Sequence, residues 1–362
     1  MSAAVVAAAK ATRDRIKAVN SDLPVVLSLG HLAHLTDVSG RDLRLTVDRN
    51  EDAYRVFKVK KTAAPGRPKP ARAFRTICVP KPHLMRTQRW IAQNILNVIE
   101  PHPASFAFAP KRNLVGAAVR HAGCGWLLKM DVQNFFEAIP ERSVFEMFEG
   151  LGYSRLVAFQ LARICTRLPE TGNRPAQTPS MPHPQRPEGH LPQGAPTSPM
   201  LANLAVRKMD ATLETLATGR GWVYTRYADD LAFSTKLPVD RKTVADLARD
   251  VAKVLLEQGL TSNEQKTSII PPGARKIVLG LLVDRDEPRL SREFRNNLET
   301  HLYALTKASI GPLKHQTTRG FASSIGMERH IKGLLAFAHM VDPAYAAKQY
   351  ARFNSVAWPG DD

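Results

Sequence analysis

The chain has 362 residues, with 51 Lys and Arg against 33 Asp and Glu for a formal net charge of +18, and 44% of its residues are hydrophobic. That apolar share excludes a disordered basic tail, and the charge points to a folded protein that meets a polyanion, either nucleic acid or an anionic membrane face. Three scattered cysteines (Cys78, Cys124, Cys165) exclude a disulfide-built domain, and no run approaches the ~18 apolar residues of a membrane span.

The opening MSAAVVAAAKATRDR places apolar residues before its charges, the reverse of a signal peptide, so a cytoplasmic protein without a membrane partner is expected. Residues 1 to about 50 read as helical, with an apolar cluster at Leu27, Leu29, Leu32 and Leu35. Tyr54, Val56, Phe57 and Val59 predict a strand, and Phe74, Ile77 and Val79 its partner. Between them runs the basic loop KKTAAPGRPKPAR, and from Arg55 to Arg89 there are eleven Lys or Arg and no Asp or Glu. Such a hairpin suits phosphate contact, with a merely solubilising loop as the alternative.

A helix is predicted after Pro82 through TQRWIAQNILNVIE, and WLLKM (residues 126–130) predicts a short strand ending at Asp131. Two helices follow, the second marked by Val157, Leu161, Ile164 and Leu168 at helical spacing. Residues 169 to 192 hold seven prolines, which excludes a packed helix or central strand and reads as a surface insertion. Helical character resumes over 200–217, and two short strands at Trp222–Tyr227 and Leu231–Ser234 are joined through Asp229 and Asp230. RKTVADLARDVAKVLLEQG predicts an amphipathic helix capped by Asp240 or Thr243 and stopped at Gly259. KIVLGLLVD predicts one buried strand, and the last 75 residues read as mainly helical.

The sharpest chemical signal is YTRYADDLAFS. Adjacent carboxylates in a tight hairpin repel, and a divalent cation held by oxygen ligands removes that cost; an exposed turn is the plain alternative. LLKMDVQNFFEAIP adds Asp131 at the end of a second strand. Three carboxylates on two strands can bridge two metal ions. One ion lowers the pKa of an attacking 3'-hydroxyl and the other stabilises the pyrophosphate, the minimum for nucleotidyl transfer. The eleven histidines, His183 and His190 among them, show no zinc-ligand spacing.

With these residues in view, the chain resembles a reverse transcriptase, most closely the bacterial retron type. MDVQNFFEAIP is similar to the family's first carboxylate block, LPQGAPTSPMLANL (residues 191–204) to the motif lining the nucleotide and template pocket, and YADD (227–230) to its metal-binding turn. LTSNEQKTSI, KIVLGLLVD and IKGLLAFAHMVDPAYAAKQY follow in family order, the last similar to the retron thumb, and the resemblance spans residues 54 to about 350. AAVRH keeps the histidine (His121) of a retron Asn-Ala-x-x-His element, and VLG keeps the glycine (Gly280) of a Val-Thr-Gly element.

The resemblance implies an α+β right-hand polymerase: an N-terminal helical extension over 1–50, fingers and palm over 51–284, and a helical thumb over 285–362. The palm would be an antiparallel sheet with helices, and the Pro-rich insertion at about 169–192 would interrupt it. It implies an RNA-directed DNA polymerase in which Asp131, Asp229 and Asp230 hold two Mg2+ ions, with Mn2+ as a substitute. Phe136 would lie beneath the sugar and exclude a 2'-hydroxyl, selecting deoxynucleoside triphosphates. Gln193 and Gly194 would line the pocket, and Arg75, with Lys60 or Lys61, would grip the triphosphate. Lys266 would approach the pyrophosphate, and Tyr227 the primer end.

The implied partners are a structured noncoding RNA serving as template and primer, the DNA product, and a separate defence effector. The implied product is branched RNA-linked single-stranded DNA (msDNA) made in an antiphage system. Two other readings are a non-retron defence reverse transcriptase with a different or untemplated product, and an inactive RNA-binding structural protein.

Overall fold

The computed structural model describes residues 2–60, 74–169 and 188–359. Lys61, His183, the loop 61–73 and residues 170–187 of the Pro-rich segment lie outside the described residues.

The chain opens with α1 (Ala3–Val19), α2 (Leu29–Thr36) and α3 (Gly40–Val47). Each starts at a serine whose hydroxyl accepts a first-turn N–H, satisfying a donor that no helical carbonyl reaches. Strands β1 (Tyr54–Lys60) and β2 (Phe74–Pro80) form an antiparallel ribbon with Tyr54 opposite Pro80 and Lys60 opposite Phe74. The helix expected through Glu100 is shorter: α4 (Pro82–Ile91) gives way to a π-helical turn at Ala92–Leu96. There Asn97 N–H bonds the Ala92 carbonyl at 2.9 Å, a widened turn that ends the regular ladder before Pro101.

After α5 (Leu114–Val119) comes β3 (Trp126–Asp131), then α6 (Glu141–Gly150), α7 (Arg155–Cys165), α8 (Ser198–Ala205) and α9 (Arg207–Thr218). Strands β4 (Val223–Tyr227) and β5 (Asp230–Thr235) form the hairpin around the acidic doublet. α10 (Arg241–Glu257) follows, and Asp240 caps it by accepting from Thr243 N–H at 2.8 Å. Strand β6 (Ser268–Ile270) completes a four-stranded antiparallel sheet in the order β4-β5-β3-β6.

KIVLGLLVD is not one strand. It forms two short strands, β7 (Ile277–Val278) and β8 (Leu281–Leu282), and a third, β9 (Arg289–Leu290), joins them. Leu279 and Gly280 both adopt left-handed φ, 50° and 86°, the geometry of a two-residue hairpin turn that an apolar run does not advertise. Helices α11 (Arg292–Thr306), α12 (Gly311–Arg319), α13 (Ser324–Val341) and α14 (Pro343–Asn354) close the chain.

Side chains alternate across a sheet, so the four-stranded sheet serves two cores. Trp126, Leu128 and Met130 of β3 and Leu231 and Phe233 of β5 join the larger core beneath, with α9 and α10. Leu127 and Ala232 point the other way, into a second core with β7–β9 and α11, α13 and α14. Asp131 and Asp230 share the parity of Leu127 and Ala232. The acids therefore open onto the face that the C-terminal helices cover. The whole is the right-hand arrangement: a basic two-stranded fingers ribbon, a palm sheet backed by helices, and a helical thumb.

Candidate active site

Asp131 ends β3 directly opposite Asp230 at the start of β5. The main chain beyond this pair is also tied: Val132 N–H donates to the Asp229 carbonyl at 2.9 Å. The two central strands and the turn beside them therefore bring the three acids to one end of the sheet, because β3 stops at Asp131 and β5 begins at Asp230. Asp131 is buried. Its carboxylate accepts from Lys266 Nζ at 2.7 Å and from Asn263 Nδ2 at 3.2 Å, and its main-chain carbonyl accepts from Asn263 N–H at 2.7 Å. Lys266 ends the 3₁₀ turn Glu264–Lys266, just before β6.

The acids differ electrostatically. Burial pushes the Asp229 carboxyl above its ordinary value, and the charge of Asp131 adds to the shift. Asp230 is raised as well, first by burial and then by Asp229 beside it. Both are carboxylates in need of a counter-charge. The donor set is all carboxylate oxygen, which suits a hard divalent ion. Among the described residues, no three His, Cys, Asp or Glu side chains already converge closely enough to hold one. Lys266 stands as the counter-ion at Asp131.

A cleft of about 1110 Å³ lies over the acids, between the palm face and the thumb. Of the residues singled out in the sequence, it brings together Asp131, Asp229, Asp230, Tyr227, Arg75 and Lys266. Phe294, Leu334 and Phe337 give its thumb wall an apolar part, beside the polar Glu293 and Asn297 of α11.

Phe136, Gln193 and Gly194 are not among the residues that line this cleft. Phe136 is half-buried, with its ring 6.4 Å from Phe108 and 5.7 Å from buried Phe135. Gln193 ties the palm to the fingers through its main chain, its carbonyl accepting from Cys78 N–H at 2.7 Å. Gly194 has φ 110°, and a Cβ there would meet the Cys78 carbonyl oxygen and Ile77 Cγ2 at 3.0 Å each. Close approach to β2 therefore explains this glycine without reference to a ligand.

Lys60 is placed away from Arg75. Arg75 pairs with Val59 on one face of the ribbon, and Lys60 pairs with Phe74 on the other. His190 pairs by backbone with Arg167 and Pro140.

The sequence did not single out Lys129 or Arg226, and it marked His121 without giving it a task. Lys129, two residues before Asp131, lines the cleft. His121 is buried and bridges two strands, with Nδ1 2.7 Å from Ser234 Oγ and Nε2 2.7 Å from Thr225 Oγ1. Burial lowers its pKa to about 3, so it clamps the β4–β5 hairpin as neutral imidazole. Arg226 is completely buried beneath the acidic turn and forms an ion pair with Asp210 of α9 at 2.7 Å. The signal was present: an arginine inside an apolar strand requires a buried acid, but nothing in the sequence says which one.

The reverse transcriptase (RNA-dependent DNA polymerase) family matches residues 65–283. The retron Ec86 reverse transcriptase of Escherichia coli is 31% identical over 323 residues, covering 89% of this chain and 87% of that protein. The retron Mx162 reverse transcriptase of Myxococcus xanthus is 32% identical over 289 residues, covering 76% of this chain and 57% of its own length. Among solved structures, a telomerase from Candida albicans in complex with a telomeric RNA fragment has a TM-score of 0.45 at 13% identity, covering 84% of this chain and 56% of that one. Reverse transcriptases generally work with divalent metal ions. Among the described residues, no helix is long and apolar enough to cross a membrane. The chain belongs to the reverse transcriptase family, with the retron enzymes as its relatives, and is an RNA-directed DNA polymerase.

Proposed function

We propose that Asp131, Asp229 and Asp230 hold Mg2+, or Mn2+ in its place, and that the chain extends a primer along a structured noncoding RNA. The observation that carries the reading is the placing of the three acids at one end of the palm sheet by the main chain: Asp131 paired with Asp230, and Val132 N–H on the Asp229 carbonyl at 2.9 Å. When bound, the metal supplies an activated 3'-hydroxyl and charge neutralisation at the pyrophosphate.

The chain's own residues do the rest. Arg75, facing the cleft from the fingers, offers a planar fork of donors to a triphosphate. Lys266 carries a proton beside Asp131 and delivers it to the leaving pyrophosphate. Tyr227, on the cleft face of β4, supports the primer end. Phe136, backed by Phe135 and Phe108, presents no partner to a ribose 2'-hydroxyl and fills its space. Gln193 and Gly194, outside the lining of the cleft, serve the nucleotide side of the pocket through the palm–fingers junction that they form with β2.

The boundaries that serve this reading are an N-terminal extension over 1–50, fingers and palm over 51–284, and thumb over 285–362. The reading extends to a product of branched RNA-linked single-stranded DNA, made in the cytoplasm as part of an antiphage system with a separate effector protein; what supports it is the likeness to retron reverse transcriptases. The test is to recover nucleic acid bound to the protein in its native host and sequence it across any 2'-5' junction. A branched RNA–DNA molecule is expected. An unbranched or untemplated DNA product assigns the chain to a different defence chemistry.

A further inference from the structure

The guanidinium of Arg226 has five N–H donors, and each has its own acceptor. Nε and Nη2 grip the Asp210 carboxylate side-on at 2.8 and 2.7 Å. The second Nη2 proton reaches Ser105 Oγ at 3.0 Å, and Nη1 reaches Asn203 Oδ1 at 3.0 Å and the Ala228 carbonyl at 3.2 Å. These partners come from four places: α9, the segment before α5, α8 within LPQGAPTSPMLANL, and the acidic turn itself. Ala228 has φ 56°, a left-handed conformation that costs a non-glycine residue free energy, and it immediately precedes Asp229. Asn203 is fixed in turn, accepting from Ser105 Oγ at 2.9 Å and donating to the Ala107 carbonyl at 2.7 Å.

We propose that Arg226 is a positioning residue for the acidic turn: its fork holds the left-handed Ala228 in place and thereby sets the direction of Asp229 and Asp230, registering them against helix α8. Solvent plays no part in this restraint, because Arg226, Asp210, Asn203 and Ser105 are all buried. A buried pair alone is weak evidence of a role. The bond to Ala228 gives this pair a task that a packed apolar group cannot perform. The inference rests on Asp229 and Asp230 being the metal-holding pair.

The full-length chain is assayed on a poly(rA)/oligo(dT) template–primer with dTTP, comparing parent, Asp229→Asn, Arg226→Lys and Asn203→Ala. Lysine keeps the charge opposite Asp210 but lacks the planar fork. For Arg226→Lys the expected result is a kcat at least tenfold lower, with the dTTP KM and the template–primer Kd within twofold of the parent. Mn2+ binding to the complex with chain-terminated primer and dTTP, read by electron paramagnetic resonance, weakens severalfold.

A folded Arg226→Lys variant with unchanged kcat and Mn2+ binding overturns the proposal, and so does a loss confined to KM or Kd. If Arg226→Lys does not fold, Asn203→Ala is read by the same measurements. A second failure to fold, or parental behaviour, makes the network structural and overturns its positioning role. An inactive parent, or an active Asp229→Asn, removes the reading of the acids instead. An active parent, a dead Asp229→Asn and an unaffected Arg226→Lys defeat only the role of Arg226.

Discussion

Lys266 Nζ lies 2.7 Å from Asp131 Oδ2, and the same carboxylate is held on its other oxygen by Asn263. A flexible, half-exposed lysine thus sits against a buried acid at the mouth of the cleft. It neutralises Asp131 and is long enough to swing toward a departing phosphate. Asp229 and Asp230 are raised first by burial and then by the neighbouring acid charge, and Lys266 acts on both in the opposite direction, joined by Lys129 at Asp230.

Replacing Lys266 with Met is expected to lower the single-turnover rate of dNTP addition by about 10²-fold, the scale of a lost general acid. Template–primer affinity should stay near the parent's, because the side chain faces the acids rather than the duplex. A parental rate would restrict Lys266 to its counter-ion role.

Asp229→Asn or Asp230→Asn is expected to abolish primer extension while RNA binding persists. The same variants should be more heat-stable than the parent at neutral pH without divalent ions. Folded-state pKa values raised above the unfolded ones mean that the native state prefers the protonated carboxyl. Stability from these two groups is therefore present at low pH and lost as pH rises through their folded pKa values. An amide removes the repulsion. Melting temperatures in chelator check this, and a lower melting temperature in both variants contradicts it.

Phe136→Val should admit ribonucleotides, narrowing the dNTP-to-rNTP ratio of kcat/KM by tenfold or more. Phe136 leans on Phe108 and Phe135, so shortening it opens space at its tip rather than at the palm's base. An unchanged ratio places the selection elsewhere.

The thumb should be acid-sensitive. His301 Nδ1 of α11 lies 2.8 Å from His315 Nε2 of α12, and His330 of α13 stacks edge-on nearby. Burial, followed by His315, lowers the His301 pKa to about 4, and burial lowers that of His315. The native state thus prefers neutral rings. Their stability contribution is complete above the unfolded value of ~6.5 and falls as pH drops toward the folded one. His301→Phe should flatten the decline in melting temperature between pH 7 and pH 5. The buried His121 leaves a residual slope. An identical pH profile for parent and variant rejects the pair as its source.

The strands were legible where the local pattern was strong. β3, β4 and β5 begin and end close to where the apolar runs place them, and the acids stand at the strand ends as expected. KIVLGLLVD misled because its apolar content is that of a strand, whereas its fold is set by two left-handed residues. The helix after Pro82 misled for a similar reason: one widened turn changes the ladder without changing the composition.

Site residues divided along the same line. Those adjacent in sequence to a strong motif, Asp229, Asp230 and Tyr227, needed no structure to be singled out. Lys266 and Arg75 join the acids only because the palm and fingers bring distant segments to one cleft. Arg226, Asp210, Asn203 and Ser105 were invisible as a set, because their bonds span 16 to 121 residues of chain.

The sequence by itself pointed to a polyanion partner through its charge, determined the family through its ordered motifs, and singled out the three candidate acids through their place at the ends of apolar runs. Those properties are written in composition and local order. Tertiary structure alone decided that Lys266 neutralises Asp131, that Gly194 is a glycine because β2 passes too close for a Cβ, and that the acidic turn rests on a buried arginine. Contacts between distant segments depend on how the sheet's two faces are divided between two cores, and no local pattern carries that information.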